Sequence, residues 1–178
     1  PWAGEVGRMA GVEIPIVPVR RQIVVTGPLP HVPPDFPFVI DFAQSLYFHR
    51  EGPGILTGMS NPDQPVGFDQ SVDPAWELVH LEAAMKRMPI LEQAGLASHW
   101  AGLYEVSPDA HPILGRLPQV EGFYCIGGFS GHGFMHGPIC GLLLAEEILD
   151  GQAHTMDITP LYIDRFREGR EIVEYNVV

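Results

Sequence analysis

The sequence predicts an α+β fold built on a mostly antiparallel sheet. Strand-like runs crowd the first 60 residues. A long helix then separates them from a second group of strands that ends in another strong helix. A hairpin signature at Leu46–Met59 makes the first group antiparallel. The chain has 178 residues, 46% of them hydrophobic and 18% charged. That is enough apolar material for one core, or a core with a satellite, and it is not the balance of a disordered chain.

Residues 3–11 form a short helix that Gly11 ends. The prolines of Ile14–Val19 favour extended backbone, and the β-branched run Ile23–Thr26 is a strand. Five prolines between 27 and 37 exclude a helix there. Strands follow near Phe38–Asp41, Leu46–Arg50 and Ile55–Met59, the last two joined by the turn Glu51-Gly52-Pro53-Gly54. Asp73-Pro74 starts a helix expected to run to about Ala94, with Gly95 as its stop. Its apolar face is expected at Trp76, Val79, Ala83 and Met85, a core stripe. Asp69, Asp73 and Glu77 are expected to form a solvated acidic patch, and Arg20 and Arg21 a solvated strand end. Strands are expected at Leu96–Leu103 and Phe123–Ile126, a glycine-dense loop over 127–137, a helix over Pro138–Leu149, and a short last helix from Thr159-Pro160.

A net charge of −12 argues against nucleic acid or an anionic membrane surface as the main partner. Cys125 and Cys140 form no CxxC pair, so they read as buried reduced thiols of a cytoplasmic protein rather than a metal or redox site. No apolar run approaches the ~20 residues of a membrane span. The sequence opens at Pro1 without an initiator Met or a signal peptide, and is read as an excerpt of a longer protein.

The strongest chemical signal is Gly122 to Pro138, a strand entering a loop with glycine at 127, 128, 131, 133 and 137, then a helix. Glycine lets backbone amides approach a ligand, and the helix aims its free N–H groups and positive dipole end at the loop. Such a loop suits an anion or a developing negative charge. The same spacing also suits a phosphorylated metabolite, or a turn that merely packs a helix on a sheet. No Gly-Lys-Ser/Thr follows, so it is not a P-loop. His132 and His136 are four apart but lack a third ligand, so no metal is expected.

The run Gly128–Phe134, GFSGHGF, resembles the C-terminal flavin-contact motif of the glycine/D-amino-acid oxidase family of FAD-dependent enzymes. Three other segments follow in that family's order: Pro1–Gly4, Pro15–Gln22 (PIVPVRRQ) and Trp100–Gly115 (WAGLYEVSPDAHPILG). The nearest subgroup resembles sarcosine oxidase β-subunits and dimethylglycine dehydrogenases, in which Met follows GHGF. The resemblance implies oxidation of a C–N bond in a small amine or amino acid, with hydride passing to flavin. It implies residues 1–13 as the end of an FAD-domain segment, 14–105 as a substrate-binding domain, and 106–178 as the strand and helix that complete a Rossmann-type FAD domain.

On that resemblance the cofactor is FAD. Its contacts are expected from Gly102, Gly128, Phe129, Ser130, Gly131, His132, Gly133, Phe134 and Met135. Met135 stands where monomeric sarcosine oxidases place a lysine that holds substrate carboxylate, and methionine cannot do that. Tyr104, Tyr47 and His49 are the candidate substrate-side residues. Tyr104 can instead be a half-buried sheet residue, and His111 a loop anchor. The family's GxGxxG segment is absent, so the sequence implies an N-terminal FAD-binding region as partner and no activity without it. The alternative is a non-catalytic binding or assembly subunit that keeps the fold. A hetero- or homo-oligomer is compatible with either.

Overall fold

The computed structural model describes residues 1–174. The chain divides into two compact units. One comprises Arg20–Leu103 and the other Pro1–Val19 with the chain from Tyr104 onward. The boundaries fall inside two strands, β1 (Val17–Thr26) and β5 (Leu96–Val106).

The central unit carries a five-stranded sheet with β2 at Val39–Asp41, β3 at Leu46–Glu51 and β4 at Gly54–Met59. The strand order is β2-β3-β4-β1-β5. β1 with β4, β2 with β3, and β3 with β4 are antiparallel. Leu46 faces Met59 and Glu51 faces Gly54, so the β3–β4 hairpin closes at the expected turn. Leu46, Phe48 and Ile55 bury one face of this hairpin with Leu29, Val32 and Ala84. β1 is one strand of ten residues, because Pro18 does not interrupt extended backbone.

Helix α2 spans Pro74–Arg87. Asp73 caps it, its carboxylate accepting from the Ala75 and Trp76 amides. The helix stops seven residues before the expected Ala94. Met88 precedes Pro89 and is driven to φ −134°, ψ 81°. Pro89–Gln93 continues as a 3-10 turn. The buried face is also displaced from the expected stripe. His80 and Ala84 are buried, and Val79 is exposed. Trp76 is half-buried and its indole N–H donates to the Met59 carbonyl at 3.1 Å.

Arg20 is paired rather than solvated, and the acidic residues have partners although Asp69 stays exposed. Arg20 donates to Asp69 and to the Ser71 carbonyl, each at 2.8 Å, and to Gln64 at 3.2 Å, and it lies 3.7 Å from Asp73. Glu77 contacts the His99 ring. The expected acidic patch is therefore two carboxylates paired with Arg20, one of them also a helix cap, and a Glu77–His99 contact. Its sequence neighbours did not show the partners, which lie about 50 residues back for Asp69 and 22 ahead for Glu77.

His80 has no solvent exposure, and its Nε2 pairs with the Thr57 hydroxyl at 3.0 Å. Burial pushes the imidazole down to about 4. The unfolded chain holds the proton near pH 6.5, so stability is full above that pH and falls as acid protonates the unfolded state first. Between pH 7 and pH 5 the loss is about 2 kcal/mol by the linkage relation. Denaturant titrations at the two pH values should show it, and His80→Gln should remove most of the difference.

The second unit holds α1 (Ala3–Met9), a two-stranded antiparallel sheet of β6 (Ile113–Arg116) and β7 (Tyr124–Gly127), α3 (Gly133–Asp150) and α4 (Asp164–Arg167). β6 was not anticipated. Val12, Ile14, Ile16, Ile113, Cys125 and Ile163 form one buried cluster. Leu114, Phe129, Cys140, Leu143 and Ile158 form another, beneath α3. Helix α3 begins five residues before Pro138, the expected first residue. Proline inside the second turn removes one intrahelical bond, a loss an exposed N-terminal stretch tolerates. Gly151 ends the helix at φ 81°.

Candidate functional site

The glycine loop is short, running from Gly128 to His132 between β7 and α3. Its shape comes from positive φ at Gly128 (78°), Ser130 (52°) and Gly131 (105°). Serine at such an angle is uncommon and must be held. Three contacts hold it. The Ser130 amide donates to the Glu105 carbonyl at 3.1 Å, the Ser107 amide donates to Ser130 Oγ at 3.3 Å, and Ser130 Oγ donates to the Gly128 carbonyl at 3.3 Å. Val106 and Phe129 form an isolated antiparallel bridge beside them.

The loop has a covered face and an open one. On the covered face Phe129 sinks its ring into the cluster with Cys140 and Leu143, and Ser130 is buried. These two residues therefore offer a ligand backbone rather than side chain. Tyr104, half-buried at the end of β5, lays its ring against Gly131: a Cβ there would sit 2.8 Å from Tyr104 Cε2. Gly128 is closed in by Ile16 and Ser107. On the open face lie Gly131, Met135 and the fully exposed Phe134. His132 is the N-cap of α3 and makes no side-chain cap hydrogen bond. The amides of Gly133, Phe134 and Met135 precede the first helical acceptor register, so the positive end of an 18-residue helix is presented bare. This donor set fits the electron-rich pyrimidine edge of a flavin.

The other expected residues lie elsewhere. Tyr47 and His49 share one face of β3 in the central unit. The Phe38 ring stacks on both, with centroids 5.7 and 5.5 Å away. The Tyr47 ring covers Gly58, its partner across the hairpin, where any Cβ would fall within 2.4 Å of it. Gly102 sits on β5, also in the central unit, with open space beside its Cα. Tyr104 is thus the one candidate substrate-side residue found in the same unit as the glycine loop. His132 and His136 have ring centroids 5.9 Å apart. Among the described residues no three His, Cys, Asp or Glu side chains converge as a metal site. Burial pushes the Cys125 thiol up to about 11, which makes it inert at neutral pH. No described helix is long and apolar enough to cross a membrane.

Residues 1–147, which include the loop and most of α3, match the model of the FAD dependent oxidoreductase family, DAO. The chain belongs to that family. Human mitochondrial sarcosine dehydrogenase is 33% identical over 161 residues, covering 85% of this chain and 17% of that protein. Mouse mitochondrial dimethylglycine dehydrogenase is 32% identical over 170 residues, covering 85% of this chain and 19% of that protein. The crystal structure of L-proline dehydrogenase from P. horikoshii superposes with a TM-score of 0.85 at 30% identity, over 94% of this chain and 45% of that one. The chain thus spans less than half the length of these DAO relatives. The mixed fold with an antiparallel sheet is the fold of the DAO neighbours.

Sequence reasoning missed two buried polar pairs in the unit that carries the loop. Arg165 is fully buried and donates from Nε and Nη2 to both oxygens of Asp109, at 2.7 and 2.9 Å. Glu147, on the buried side of α3, accepts from the Tyr162 hydroxyl at 2.8 Å. Burial and that carboxylate push the Tyr162 phenol up to about 12. No local signal marked Arg165, which stands in the charged run Asp164-Arg165-Phe166-Arg167-Glu168 and would by itself read as a solvated side chain.

Proposed function

We propose that this chain forms the substrate side and the flavin-edge loop of an FAD-dependent oxidoreductase that oxidises the C–N bond of a small amine or amino acid. The observation that carries the reading is the bare N-terminus of α3 beside a loop held at positive φ. When bound, the flavin supplies hydride acceptance. The chain's own share is to lay the Gly133–Met135 amides along the edge where negative charge gathers, and to close one side of Gly131 with Tyr104. Gly128, Phe129, Ser130 and His132 shape that backbone. Oxidation of amines needs orientation above all, and no side chain here is assigned as a general base.

The nucleotide half of FAD is assigned to a polypeptide region carrying GxGxxG. Support comes from the apolar surface this unit leaves open. Phe134, Met135, Ile139, Leu142 and Leu149 are exposed along α3, and Val6 and Met9 along α1 with Trp2 at its N-cap. Large apolar side chains exposed together along a helix mark a surface suited to another protein layer. Relatives named for sarcosine, dimethylglycine and L-proline support a small amino acid as substrate. Tyr47 and His49, with Phe38 stacked on them, are the proposed substrate-side contacts of the central unit.

The test is anaerobic. A protein joining this chain to its nucleotide-binding region, filled with FAD, is mixed in turn with sarcosine, dimethylglycine, L-proline and glycine. Bleaching of the oxidised flavin band by at least one of them is expected, while this chain mixed with free FAD should bleach with none. Full flavin occupancy with no bleaching across the panel would instead identify a non-catalytic subunit.

A further inference from the structure

We propose that Arg165 and Asp109 are positioning residues for the flavin-contact loop, acting through Ser107 and Ser130. The proposal rests on the flavin reading above for its purpose, but its geometry stands without it.

All five N–H donors of the Arg165 guanidinium are engaged. Nε and Nη2 grip Asp109, Nη2 also reaches the His111 carbonyl at 2.9 Å, and Nη1 reaches the carbonyls of Leu161 at 2.7 Å and Tyr162 at 3.3 Å. The Phe166 ring covers it at 4.1 Å. Asp109 in turn accepts from the amides of His111 and Ile172, each at 3.2 Å. Burial pushes the Asp109 carboxyl up. The Arg165 and backbone hydrogen bonds outweigh this and hold it below the usual carboxylate range.

The pair therefore fixes the turn 107–111, in which Ala110 sits at φ 60°. That turn fixes the loop. Ser107 Oγ donates to the His111 carbonyl at 2.6 Å, so its backbone is locked to the same carbonyl that Arg165 holds. The Ser107 amide then donates to Ser130 Oγ, and the Ser107 Cβ closes the space beside Gly128 at 3.2 Å from where a Cβ would lie. Each member of this chain of contacts, Arg165, Asp109, Ser107 and Ser130, is buried. A purely structural ion pair would end in the core. This one ends on the serine at positive φ that sets the direction of the Gly131 and Gly133 amides.

Native-state hydrogen exchange on the whole chain tests this without any cofactor. The Ser130 and His132 amides have backbone acceptors, Glu105 and Phe129, and serve as reporters of the loop. In Arg165→Lys, which keeps the charge but loses the fork, both reporters should exchange about tenfold faster, the factor expected for one lost charged hydrogen bond. The β6–β7 amides of Leu114 and Ile126 should change little. Ser130→Ala, which leaves the ion pair intact, should speed the same two reporters, and it serves where the lysine variant does not fold. Uniform acceleration of every amide in the unit, or unchanged reporters in Ser130→Ala, would overturn the proposal. Lumiflavin titration of the wild-type chain reads the flavin assignment separately: its failure with intact exchange effects would discard the cofactor and keep the positioning chain.

Discussion

Arg165→Ala lowers the stability of its unit by about 3–5 kcal/mol, the usual result of removing one partner from a buried ion pair. For a chain of this size that corresponds to a fall of roughly 10 °C in melting temperature. The reason is asymmetry. Asp109 stays behind, buried, with two amide donors in place of the guanidinium fork, and the Leu161 carbonyl loses its side-chain donor while those of Tyr162 and His111 each lose one of two. Asp109→Asn costs less, because the amide keeps the shape and one acceptor. The double variant Asp109→Leu with Arg165→Met should recover part of the loss, since an apolar pair leaves no stranded charge. Calorimetry of the four proteins measures this, and equal losses in the single and double variants would contradict it.

Gly131→Ala is the change with the largest expected effect on cofactor binding. The residue sits at φ 105°, outside the small left-handed basin open to alanine, and its new methyl would meet the Tyr104 ring at 2.8 Å. Backbone strain of this kind costs about 1–3 kcal/mol. Relief requires either Tyr104 or the loop to move. Movement of the loop misdirects the amides of Gly133–Met135, so flavin affinity should fall at least about tenfold, the factor for 1.4 kcal/mol. Adding Tyr104→Ala to the variant removes the ring clash and should restore part of the affinity, leaving the φ penalty alone.

Local signals were legible in the sequence where one residue dictates the backbone. The Leu46–Met59 hairpin, the Asp73 cap and the Gly151 stop all stand where turn and cap chemistry place them. The misses came from neighbours distant in sequence or from competing local rules. Pro89 ended α2 before Gly95 was reached, through the conformation it forces on Met88. Pro138 read as a helix start, yet α3 begins at Gly133, because the loop ends where Ser130 is held by residues 105 and 107. His80 replaced Val79 on the buried face of α2 because Thr57 supplies its partner. Within the site, Tyr104 and the glycine run come together in one unit, whereas Arg165 acts on the loop from 35 residues further along the chain and is hidden in a charged run, Asp164 to Glu168, that marks no residue for burial.

The decisive measurement is an FAD titration followed by the flavin absorbance spectrum, on this chain joined to a GxGxxG-bearing region and on the same protein with Gly131→Ala. Tight binding with a shifted, structured flavin band in the first, and clearly weaker binding in the second, is the expected pair of results. Equal affinity and identical spectra for the two proteins would show that the isoalloxazine lies away from the loop and the α3 N-terminus.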